Sequence, residues 1–162
     1  MTDTNTTENE ENRLEFQDSI GIDTSKTELW KSISDPTILT KCIPGAEEVN
    51  RISKRKYSCD IKRGISHLTV SLSGEFEFIK MNEPDWIIAE GNVYDSKTGS
   101  SIHVLSAMEM EDAKEGTVNL SYHADVSISG GIASLGTSVL RPFVESDIDT
   151  YFDNIKDVVE PN

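Results

Sequence analysis

Apolar and polar positions alternate most cleanly in the middle of the chain. Leu68, Val70, Leu72, Gly74, Phe76 and Phe78 share one parity, while His67, Thr69, Ser71, Ser73, Glu75 and Glu77 fill the other. A period of two with one dry and one wet face marks antiparallel sheet. Val49 and Ile52 suggest a strand before it, and Tyr57, Cys59 and Ile61 another. Asn82-Glu83-Pro84-Asp85 turns the chain, and Trp86 to Tyr94 reads as a strand whose two faces do not separate. Further on, Ile102, Val104, Met108 and Met110 have the parity of Val118, Leu120, Tyr122, Ala124, Val126 and Ile128. Both sets face one way only if paired residue numbers sum to an even value. A three-residue loop, Lys114-Glu115-Gly116, meets that condition, with Gly116 in the left-handed position. The register then puts Met108 opposite Tyr122, Met110 opposite Leu120, His103 opposite Ser127 and His123 opposite Ala107.

The two ends of the chain differ. Leu14, Phe16, Ser19, Ile20 and Ile22 fit a first strand, and the slip near Ser19 predicts a bulge. Asp23 or Thr24 is placed to cap a short helix carrying Leu29, Trp30 and Ile33, with Glu28 as the capping-box acid. Asp35-Pro36 stops it and starts a second, because proline suits a first helical position. Pro44-Gly45 ends that one. From Ile132 the period becomes helical: Leu135, Val139, Phe143, Ile148, Tyr151, Phe152, Ile155 and Val159 lie mostly three or four apart. Pro142 should kink or divide this helix. Its start is small-sided (Gly130, Gly131, Ala133, Ser134, Gly136), which either lets backbone approach backbone or leaves room for something else.

The order is therefore strand, two short helices, about six antiparallel strands and one long helix: an α+β fold with a curved sheet of about seven strands. A sheet with one dry face must be covered. The last helix is the only element long enough to do so. The 162 residues suit one domain, read as 13–160, behind an acidic tail at 1–12 expected to be disordered.

Composition narrows the function. With 29 acidic against 15 basic side chains the net charge is −14, which argues against nucleic acid or an anionic membrane as partner. There is neither a membrane-length apolar run nor a signal-like start, and the two cysteines, Cys42 and Cys59, read as reduced thiols. A cytoplasmic protein without an integral membrane anchor is the expectation.

Three stretches carry a family resemblance. They are Asp35-Pro36 through Cys42-Ile43-Pro44-Gly45, Leu72-Ser73-Gly74-Glu75-Phe76, and Leu135-Gly136-Thr137-Ser138-Val139-Leu140 followed by Tyr151-Phe152. With the element order, they make the chain similar to the CoxG family, the G subunit of carbon monoxide dehydrogenase, within the START-like helix-grip (SRPBCC) superfamily. The similarity spans roughly residues 13 to 158. The resemblance implies an accessory to a molybdenum hydroxylase of the carbon monoxide dehydrogenase type, holding a quinone- or lipid-like molecule. Some members add a C-terminal linker and anchor. This sequence stops at Asn162, and the acids of its last helix argue against lying on anionic lipid.

Catalytic groups do not converge in the sequence. His67, His103, His123 and Asp125 all take the wet parity of their strands, no zinc spacing or phosphate loop appears, and neither metal nor cofactor is expected. What remains is an apolar interior with a few polar handles. Tyr57, Leu72, Phe76, Trp86, Tyr94, Met108, Met110, Leu120, Tyr122, Leu135, Val139 and Phe143 are the candidate cavity lining, with Met81 beside them. Methionine adapts to ring-shaped ligands, and a tyrosine hydroxyl bonds a carbonyl. Non-catalytic binding of a hydrophobic small molecule is the leading expectation. A helix-grip cyclase or dehydratase and a ligand-free assembly protein are the alternatives, and a homodimer is left open.

Overall fold

Parity sets the register of the last hairpin. In the computed structural model, which describes residues 11–161, Met108 pairs with Tyr122, Met110 with Leu120, His103 with Ser127 and Ala107 with His123. Gly116 closes the loop at φ +77°. These strands, β6 (Ser100–Asp112) and β7 (Val118–Ser129), belong to a seven-stranded antiparallel sheet. The others are β1 (Glu11–Ile22), β2 (Ala46–Arg51), β3 (Lys56–Ile65), β4 (Leu68–Asn82) and β5 (Trp86–Asp95). Their order is β1-β7-β6-β5-β4-β3-β2. Every strand neighbours the next in sequence except β1, which lies at the far edge from β2. The connection between them must cross the whole sheet. Helices α1 (Lys26–Ile33) and α2 (Pro36–Cys42) make that crossing and close one end of the concave face. The long helix α3 (Thr137–Val159) lies across that face.

Local chemistry explains where the elements start. Ser25, rather than Asp23 or Thr24, caps α1, its hydroxyl accepting from the Glu28 amide at 3.2 Å. Asp35 caps α2, accepting from the Thr37 amide at 2.8 Å ahead of Pro36. β1 begins at Glu11, two residues before the boundary read from composition, and residues 1–10 of that tail lie outside the described residues. The bulge expected near Ser19 is not there: β1 pairs with β7 without interruption from Glu11 to Ile22. The parity simply carries one exposed acid, Asp18, on the concave side opposite Tyr122. The register breaks fall in β2 between Ala46 and Glu48, and in β4 between Phe78 and Lys80.

The small-sided segment resolves in favour of close backbone approach. A Cβ on Gly130, which sits at φ +83°, would run into the Gly99 carbonyl oxygen, and one on Gly131 into that of Thr98. Residues Gly131–Leu135 form a separate 3-10 turn, and the division from α3 falls at Gly136. Of the kink or division expected at Pro142, the division does not occur: α3 continues through it as one helix.

The buried side chains form two groups rather than one. One lies under α1 and α2 and includes Leu29, Trp30, Leu39, Tyr57, Phe78, Met110, Leu120 and Phe152. The other lies toward the 3-10 turn and includes Leu14, Val70, Ile128, Ile132 and Leu140. Ile61, Val93, Tyr122 and Ile148 touch both, and all four are only partly buried although they face inward. A single close-packed core would bury them completely.

Candidate functional site

The space that leaves those four side chains part-exposed is a cavity of about 410 Å³ between the sheet and α3. All four line it. Part of its sheet wall is a row of short side chains facing inward on neighbouring strands: Ala89, directly paired with Ser106, and Ala124 beyond it on β7. Longer residues there would reach α3 and fill the gap. The helix wall is Leu140, Phe143, Val144, Ile148, Tyr151 and Phe152. Ile43 and Pro44, from the Cys-Ile-Pro-Gly stretch, join the lining beside α2, while Cys42 is buried beneath. Gly45 follows at φ +77°, where a Cβ would lie 2.6 Å from Arg63 Cδ.

Polar groups in this lining are few. Arg63 takes the concave parity of β3, following Tyr57, Cys59 and Ile61. Its Nε donates to Asp147 Oδ2 at 3.0 Å and its Nη2 to Oδ1 at 2.6 Å, a two-pronged bridge from sheet to helix. The guanidinium lies 4.8 Å from the centre of the Phe143 ring, one helical turn before Asp147. Burial raises the Asp147 pKa and wins over the opposing hydrogen bond from Arg63. Tyr122 stacks on Phe152 with centroids 5.1 Å apart, and Tyr151 meets the same ring edge-on at 5.0 Å. Neither hydroxyl has a hydrogen-bond partner among the described residues. Among the described residues no fully buried side-chain nitrogen or oxygen goes unsatisfied, so both hydroxyl oxygens keep some accessible surface. Burial pushes the Tyr122 phenol up, helped by the negative charges of Asp18, Asp149 and Glu145. Tyr151 is pushed up as well, by burial and then by Cys42. Burial lifts the Cys59 thiol in the cavity wall to about 11.

Five of the side chains expected from sequence line the cavity: Leu72, Phe76, Met108, Tyr122 and Phe143. Tyr57, Met110 and Leu120 face inward but are packed solid in the core beneath α1 and α2, and Met81 packs against that core. Tyr57 stacks on Phe76 at 4.8 Å and donates its hydroxyl to the Ser34 carbonyl at 2.7 Å. Trp86 and Tyr94 take the other parity of β5 and face away from the cavity, Tyr94 at 52% exposure. Leu135 sits in the 3-10 turn against the second core group, and Val139 is 38% exposed. Sequence reasoning missed Arg63, Asp147 and Tyr151. Parity beyond Ile61 was the available signal for the first, and helical spacing from Phe143 for the others.

His103, His123 and Asp125 lie on the convex side of the sheet, whereas His67 is exposed in the turn between β3 and β4 rather than on the wet face of a strand. His103 meets Glu90 there at 2.7 Å. Glu15, His123 and Asp125 bring one ligand atom each within 4.8 Å of one another, a set that could hold a cation away from the cavity.

A curved antiparallel sheet that grips a long C-terminal helix over an apolar cavity defines the helix-grip class. A structure described as a conserved protein from Geobacillus kaustophilus matches at TM-score 0.82 and 22% identity, covering 89% of this chain and 93% of that one. The Zhui aromatase/cyclase from Streptomyces sp. R1128 matches at TM-score 0.67 and 9% identity, over 90% and 93%. Norcoclaurine synthase from Thalictrum flavum, in complex with dopamine and hydroxybenzaldehyde, matches at TM-score 0.59 and 11% identity, over 93% and 89%. At these identities the likeness is one of fold. No curated protein matches the sequence. The family model for CoxG, the G subunit of carbon monoxide dehydrogenase, matches residues 19–160, and the chain belongs to that family.

Proposed function

We propose that this protein is a non-catalytic carrier that holds a hydrophobic, ring-bearing molecule, quinone- or lipid-like, between its sheet and α3, as accessory to a molybdenum hydroxylase of the carbon monoxide dehydrogenase type. One observation carries the reading: the core is split in two by a cavity of about 410 Å³ with mostly apolar walls, whose polar lining residues include a paired Arg63–Asp147, Ser106 and two tyrosines with unpartnered hydroxyls. That volume lies in the range of small-molecule sites, roughly 300–1,000 Å³, and apolar walls with a few placed polar groups are their usual make-up. An apolar occupant would recover the contacts that the cavity forgoes. The norcoclaurine synthase complex, with two ring-bearing molecules, supports a ring-sized occupant for this architecture. The family supports the link to carbon monoxide dehydrogenase.

Native mass spectrometry after incubation with menadione tests the carrier reading. A one-to-one complex is expected. Absence of any complex with menadione, longer-chain quinones or lipid extracts would overturn it.

A further inference from the structure

We infer, building on the carrier reading above, that the cavity selects neutral apolar molecules bearing hydrogen-bonding oxygens and rejects anionic ones such as fatty acids. Among the described lining residues Arg63 is the single cation, and it is already spent. Both of its prongs are on Asp147, at 3.0 and 2.6 Å, and its face lies over Phe143 at 4.8 Å. The pair is three-quarters buried, each side chain being 27% exposed. A ligand carboxylate entering this space finds no free positive charge. Taking Arg63 for itself would strand the Asp147 carboxylate in the same apolar surroundings, so one buried anion would replace another with nothing gained. Left unpaired, the ligand's charge would bear the full cost of leaving water.

The acids around Tyr122 act in the same direction. Asp18 stands opposite it on β1, and the exposed Glu145 and Asp149 lie close enough on α3 for their charges to act on its phenol. A negative potential there repels an anionic headgroup. A neutral carbonyl meets none of these obstacles. It accepts from the Tyr122 or Tyr151 hydroxyl, and neither donation breaks an existing bond.

Isothermal titration at pH 7.5 with menadione, methyl 2-naphthoate and 2-naphthoate tests the selection, the last two sharing one ring system and differing by an ester methyl and the charge it masks. The neutral pair should bind. The carboxylate should bind at least about tenfold more weakly than its ester, a factor equal to ~1.4 kcal/mol. Asp147→Asn frees Arg63, and in that variant the carboxylate should gain about tenfold or more, as expected of a charge-assisted hydrogen bond. Equal or tighter binding of 2-naphthoate by the wild-type protein would overturn the selection while leaving the carrier reading intact, and needs no variant to fold. A folded Asp147→Asn protein with no gain for the carboxylate would also overturn it. If none of the three binds, the selection fails, and the carrier reading falls with it only when longer-chain quinones and lipid extracts fail to bind as well.

Discussion

Filling the cavity from its sheet wall gives a prediction whose sign depends on whether the space exists. Ala89 faces inward on β5, paired with Ser106, and both line the cavity. Ala89→Leu adds three carbon atoms in the direction of α3. At about 0.8 kcal/mol per buried methylene these are worth roughly 2.4 kcal/mol. Fixing a leucine rotamer returns about 0.5–1 kcal/mol of that. A net stabilisation of about 1.5 kcal/mol remains. At roughly 2–4 °C per kcal/mol for a chain of this size, thermal unfolding followed by circular dichroism should shift up by about 3–6 °C. Menadione should lose affinity in the same variant because the added side chain occupies its place. If the interior were solid, the same leucine would be overpacked, at a cost of typically 1–3 kcal/mol. A lowered unfolding temperature, or unchanged menadione affinity, would refute the reasoning.

Other substitutions test the polar handles. Tyr122→Phe and Tyr151→Phe each remove a hydroxyl with no protein partner, so stability should hold or rise slightly in urea unfolding, while affinity for a carbonyl-bearing ring should fall by about 0.5–1.5 kcal/mol. Asp147 has a pKa raised by burial above its ordinary 3.8, so the folded chain holds that proton more tightly than the unfolded one. Its contribution favours folding below pH 3.8 and is lost as pH climbs through the raised value, so the stability of wild type relative to Asp147→Asn should decline upward from pH 3.8, read by denaturant titration at each pH. With its thiol lifted to about 11, Cys59 should resist iodoacetamide in the folded protein at pH 8, and mass spectrometry should find both Cys59 and Cys42 alkylated only after unfolding.

The sheet was readable because its strands separate dry from wet. Parity alone placed Met108 against Tyr122 and turned His103 and His123 outward. It failed where the outward positions are also apolar: in β5 the inward set is Ile87, Ala89, Gly91 and Val93, while Trp86, Ile88 and Tyr94 face the other way. The helix phase failed for a different reason. A pattern run continuously from Ile132 places Leu135 and Val139 on the covered face, but the chain breaks at Gly136 and α3 restarts with its own phase. The cavity side of α3 therefore begins at Leu140 and Phe143.

Facing inward is also not the same as lining a cavity. Tyr57, Met110 and Leu120 point into the fold, yet α1 and α2 cover that end and pack it solid. How far those helices reach over the sheet is a tertiary fact that no strand pattern records. Arg63 was hidden because a charged residue at a dry position contradicts the pattern used to find it; its partner on α3 makes the position tolerable.

The most direct measurement follows the methyl resonances of the protein by heteronuclear NMR during titration with menadione. Ile61, Met108 and Ile148, on the cavity wall, should shift and saturate together at one equivalent, while Ile52 and Leu105, exposed away from it, stay in place. Shifts confined to exposed methyls, or none at any ratio, would contradict an interior site.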